Sequence, residues 1–154
     1  MAGLEARSNR EMEKYPDASD AMLRRQKLYA SRFDKTEKDD DLLEVAASSY
    51  DLGEYAYRQK NLPAALQHFE AGLTKSDEYN KRTGGEVNDV QLRLLQAYAE
   101  LNLYGKLPLA QYKQDLPKRL QATYDFICKN PSPNWDKSRF LFELYLTMLD
   151  VNKA

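Results

Sequence analysis

Apolar residues in this chain return every three or four positions, and no stretch sustains the alternation of a half-buried strand. That spacing is the period of the α-helix, in which positions three and four apart share one face. Met22, Leu23, Tyr29, Ala30 and Phe33 predict a first helix over about 18–34, with Asp17 or Ser19 as its N-cap and Asp20 completing an acidic first turn. Residues 1–15 are polar and aperiodic and are expected to form a flexible tail. Leu42, Leu43, Val45, Ala46, Ala47, Tyr50, Gly53, Ala56 and Tyr57 predict a second helix from about 41 to 59. After the short turn Lys60-Asn61-Leu62, Pro63 sits where a helix tolerates proline best, and Ala65, Leu66, Phe69, Gly72 and Leu73 carry a third helix until Thr83-Gly84-Gly85 stops it.

The same reasoning predicts helices over about 87–104 (Val90, Leu94, Leu95, Tyr98, Leu101, Leu103) and 117–129 (Leu120, Tyr124, Ile127), with a short helical turn between them at 106–116. Pro117 is what separates that turn from the helix after it. A proline-rich loop at 130–134 leads to a last helix over 135–151, capped by Ser132 or Asn134. Its apolar set, from Trp135 to Val151, wraps wider than one stripe, as in a helix docked between others. The expected fold is therefore all-α: about six helices joined by short turns into stacked hairpins, in a single domain over 16–154.

Within residues 49–77, SYDLGEYAYRQKNLPAALQHFEAGLTKSD, Leu52-Gly53 lies in one helix; Ala65, Phe69 and Gly72 follow in the next. This segment resembles a tetratricopeptide repeat, whose pattern is a leucine–glycine pair, a small residue early in the second helix, an aromatic one turn later and another small residue. Three positions depart from the pattern. Ser49 stands at the usual tryptophan, Ala56 at the usual tyrosine and Asp77 at the terminal proline, with Tyr55 and Tyr57 flanking the altered tyrosine site. The resemblance implies a fragment of a right-handed α–α superhelix in which Gly53 and Ala65 let two antiparallel helices touch and Phe69 fills the space toward a neighbouring hairpin. One hairpin cannot bury its own apolar face, so residues 87–129 are expected to supply a second, degraded hairpin, and the first and last helices to close the ends.

Composition narrows the function classes. Net charge is −1 with 31% charged residues, so the chain lacks the basic excess of a dedicated nucleic-acid or anionic-lipid binder. The densest basic group, Arg24, Arg25 and Lys27, reads as a solvated helix face. No run reaches a membrane span of about 20 apolar residues, and charges fill the N-terminus where a signal peptide needs an apolar core, so a cytoplasmic location is expected. The lone cysteine, Cys128, rules out an intrachain disulfide, and its place on a stripe with Tyr124 and Ile127 predicts a buried thiol. The acidic segment 34–41, DKTEKDDD, lacks the spacing and glycine of a calcium loop and is expected to be a solvated linker ending in a helix cap. His68 is the only histidine, and Gly84-Gly85 has no phosphate-loop lysine beside it. No metal, cofactor or catalytic residue is assigned.

A protein-binding module is the expectation that remains. In tetratricopeptide proteins the first helix of each hairpin lines a concave groove for a partner segment. Carried onto this sequence, that face holds Ala47, Tyr50, Asp51, Glu54, Tyr57 and Arg58, and Tyr98 and Asn102, one turn apart in the later helix, would continue it. Tyrosine suits such a surface, giving a large contact area at little entropic cost. Asp51 and Glu54 would repel a carboxylate, so the expected partner is a basic or apolar segment of another protein. The alternatives are a structural subunit that self-associates, for example as a homodimer, through apolar helix faces, and, behind it, an enzyme whose site is not visible in the sequence.

Overall fold

The computed structural model describes residues 2–84, 89–104, 116–129 and 146, with side chains in the first helix from Lys14 onward. All regular structure among them is helical: α1 (Ala2–Thr36), α2 (Asp39–Arg58), α3 (Leu62–Thr83), α4 (Asp89–Tyr104) and α5 (Leu116–Lys129). None of these helices is long and apolar enough to cross a membrane. The chain divides into two compact units, Met1–Gly85 and Glu86–Ala154, each described separately below.

In the first unit α1 and α3 both pack on α2. Contacts run antiparallel: Arg58 meets Tyr15 and Arg32 meets Asp41 across α1 and α2, while Gly53 meets Phe69 and Asp39 meets Arg82 across α2 and α3. Leu42, Val45, Ala46, Leu52 and Ala56 of α2 and Ala65, Phe69 and Leu73 of α3 form the core. Burying each larger side chain contributes about 1.5–3 kcal/mol, which holds helices whose own propensities are modest.

Helix α1 is longer than its apolar period suggests, beginning at Ala2 and passing through Pro16. The first residues are rich in alanine, leucine, glutamate, arginine and methionine, all good helix formers. Aperiodic polarity leaves such a segment without a buried stripe, but it does not stop the backbone from coiling. Pro16 is exposed and removes one backbone donor from the helix interior.

The α2–α3 turn follows a Schellman pattern. Asn61 N–H donates to Ala56 O and Lys60 N–H to Tyr57 O, both at 2.9 Å. Asn61 then caps α3 by accepting from Ala64 N–H at 3.3 Å, with Pro63 in the first turn. The turn needs a left-handed residue, and Lys60 supplies it at φ 61°. A side chain there costs about 1–2 kcal/mol relative to an unstrained position, a cost glycine avoids. Lys60→Gly is therefore expected to stabilise the first unit by about 0.5–1 kcal/mol in urea unfolding, after glycine's larger unfolded-state entropy is subtracted. A destabilised variant would show that the lysine side chain holds the turn by other means.

In the second unit Leu92, Leu94, Leu95, Tyr98 and Leu101 of α4 and Leu120 of α5 are buried. The helices predicted at 87–104 and 117–129 thus begin within two residues of their expected starts. The short turn at 106–116 lies outside the described residues except at Leu116, where α5 begins, and so does the helix at 135–151 except for Leu146, a helical and exposed position.

Candidate functional site

Helix α2 turns about 100° per residue, so Val45 and Ser49 lie on the opposite side from Ala47, Asp51, Glu54 and Arg58. The two sides differ in chemistry. On the outward side Tyr57 is 49% exposed and Arg58 is exposed, while Tyr50, Asp51 and Glu54 are half-buried. The Tyr50 ring lies 6.2 Å from that of Phe69 at a tilt of 39°, which ties it partly to the core. Arg58 is drawn back toward α1: its Nη1 donates to the Tyr15 hydroxyl at 2.9 Å and its guanidinium lies 5.7 Å from that ring.

The structure therefore keeps Tyr50, Asp51, Glu54, Tyr57 and Arg58 on one face of α2, with Tyr57 presenting the most surface. Tyr98 departs from the expectation. It is 3% exposed, because it falls on the same stripe of α4 as Leu94, Leu95 and Leu101, and a ring so enclosed offers no contact surface. Asn102 lies in α4, and its side chain falls outside the described atoms.

On the inward side of α2 the structure shows a feature not anticipated from the sequence. An open cleft of about 380 Å³ runs between α1 and α3 with α2 as its floor. Val45 and Ser49 form the floor, Gln26, Lys27 and Ala30 one wall, and Ala71, Thr74 and Lys75 the other. Gln26 Nε2 donates to Ser49 Oγ at 2.8 Å and to Val45 O at 3.3 Å, and Ser49 Oγ donates to Val45 O at 3.1 Å. Farther along α3, Arg82 lies over the Phe33 ring of α1 at 5.1 Å while its Nε donates to Asp39 Oδ1 at 2.6 Å. The small residues Ala30 and Ala71 on facing walls are the only sequence signal for the cleft, and they become meaningful only once α1 and α3 are known to flank α2.

The acidic segment is not a solvated linker throughout. α2 begins at Asp39, so all three aspartates fall in its first turn, near the positive end of the helix dipole. Asp41 is 4% exposed and its Oδ1 pairs with Arg32 at 3.3 Å, while its buried Oδ2 has no hydrogen-bond partner among the described residues. No cluster of three metal-ligating side chains occurs among the described residues. Cys128 is exposed, contrary to the buried thiol expected. Among the described side chains of α5 Leu120 is buried, and eight residues later the helix has rotated Cys128 about 80° from that line, beside exposed Lys129. His68 belongs to the first unit, where burial disfavours the charged imidazolium and lowers its pKa.

No protein-family model, no curated protein and no solved structure matches the chain.

Proposed function

We propose that the chain is a non-catalytic, tetratricopeptide-like module that binds a segment of another protein, as an adaptor, chaperone or neutralising partner. The observation that carries this reading is the outward face of α2, where Tyr57 exposes half its surface next to half-buried Asp51 and Glu54. A large aromatic ring kept accessible on the same face as half-buried carboxylates suits a basic or apolar partner segment. The close seating of Phe69 against Gly53, with Leu52 and Ala65 buried beside them, supports the resemblance from which the groove residues were taken.

A photo-crosslinking residue placed at position 57 and expressed in the native host tests the reading, with exposed position 67 on α3 as the control. Position 57 is expected to capture a distinct protein that position 67 does not. Tyr57→Ala should weaken binding of that protein at least about tenfold, as for an aromatic interface anchor, without changing helicity. Loss of helicity would move Tyr57 into the core and sink the groove assignment. Crosslinks only between copies of the chain would favour the self-associating subunit.

A further inference from the structure

We propose that the cleft between α1 and α3 is a second binding site, and that it takes an acidic peptide segment carrying an apolar anchor residue. The site lies on the side of α2 away from Tyr57 and does not depend on the function assigned to that face.

Charge is the first argument. The residues lining the cleft include Lys27 and Lys75 on opposite walls and no carboxylate. Lys27 is exposed and pairs with no acid among the described residues. Lys75 meets Glu78 at 3.0 Å, but both side chains are about two-fifths exposed, and such a pair exchanges readily for a better partner. In a chain whose net charge is −1, a concavity walled on both sides by cations is a local reversal of sign.

Shape is the second. A volume of about 380 Å³ falls near the lower end of ligand-sized pockets, roughly 300–1,000 Å³, so it seats one or two side chains and not a helix about 10 Å across. Ala30, Val45 and Ala71 give the anchor an apolar bed.

Gln26, on the α1 wall, separates a peptide from a plain acyl chain. Gln26 spends its Nε2 on Ser49 and Val45, and its Oε1 accepts no bond among the described residues. Covering that oxygen with hydrocarbon would leave a buried acceptor unmade, whereas a peptide backbone N–H satisfies it. An extended segment that places a leucine between the walls thus brings its N–H to Gln26 and its flanking carboxylates to Lys27 and Lys75.

The test uses the full chain and a short synthetic peptide with a leucine pair flanked by glutamates. A counterpart carrying lysines in place of the glutamates and sodium octanoate are the comparison probes. Amide chemical shifts and calorimetry are expected to show the acidic peptide binding, with the largest shifts around Gln26, Ala30 and Thr74. Lys27→Glu with Lys75→Glu should weaken it about tenfold. Ala71→Trp, which fills the cleft from an exposed position, should abolish binding while circular dichroism stays unchanged. Tyr57→Ala should leave it intact, which separates failure here from failure at the outward face. The proposal is overturned if the parent chain does not bind the acidic peptide, if the lysine peptide binds equally well, or if the folded variants retain full affinity. It is likewise overturned if octanoate binds the same residues and displaces the peptide, which would make the ligand an acyl carboxylate.

Discussion

Replacing Phe69 with alanine is expected to remove about 3–5 kcal/mol from the stability of the first unit. The ring is 2% exposed and sits where α2 and α3 approach, against the bare backbone of Gly53 and the ring of Tyr50. Two effects add. The transfer free energy of a benzyl side chain is lost, and the space it leaves is hard to refill, since the residue facing it is a glycine with no side chain to move in. Domains of this size are stable by about 5–15 kcal/mol, so the loss is a large fraction of the total. Amide hydrogen exchange in α2 and α3, read with urea unfolding, measures it. Phe69→Leu should cost less, because leucine keeps part of the volume. A cost below about 1 kcal/mol for Phe69→Ala would mean that the ring does not hold the hairpin together.

Gly53→Ala is the second large effect, and two opposing magnitudes decide its sign. Alanine in a helix interior is favoured over glycine by about 1 kcal/mol. Against this, a Cβ at position 53 would fall 2.5 Å from Phe69 Cδ1 and 2.9 Å from Cζ, and nearer still to Cε1. Real carbon pairs stay well beyond those distances, so the ring or the helix must shift, and the buried ring is not a flexible side-chain end. Overpacking of this kind costs about 1–3 kcal/mol, which outweighs the propensity gain. A net loss of about 1–2 kcal/mol is expected for alanine and a larger one for valine. The loss should be conditional on Phe69. Combined with Phe69→Leu, Gly53→Ala should cost less than it does alone, since two of the three ring atoms it meets, Cε1 and Cζ, are gone. Additive losses in the double variant would show that Gly53 is required for a reason other than the ring.

Both predictions concern a contact that the sequence marks only in part. The resemblance turned Phe69 toward a neighbouring hairpin, whereas its ring lies against Gly53; what the helix period marked, through Leu52-Gly53, Ala65 and Gly72, is that two antiparallel helices approach closely there. The outward face of α2 was legible for the same reason. Tyr50, Asp51, Glu54, Tyr57 and Arg58 share a side of one helix through its period alone, whatever surrounds it.

Other features depended on neighbours that the period does not name. Tyr98 and Tyr57 are the same residue type on helices of similar pattern, yet one is 3% and the other 49% exposed. Asp41 looked like one of three solvated carboxylates, and it is buried because α2 starts at Asp39 and Arg32 arrives from another helix. Cys128 shares a stripe with Tyr124 by spacing, and its exposure follows from which line of α5 is turned inward.

The sequence by itself therefore determined the helical character of the described segments, the α2–α3 turn and the close approach of those two helices at small residues, because these rest on periodicity, capping and residue size within or between adjacent segments. Only the tertiary structure decided the α1–α3 cleft, the burial of Asp41 beside Arg32 and the enclosure of Tyr98. Each of these depends on which residues from distant parts of the chain come to face one another, and burial and electrostatics are properties of that juxtaposition.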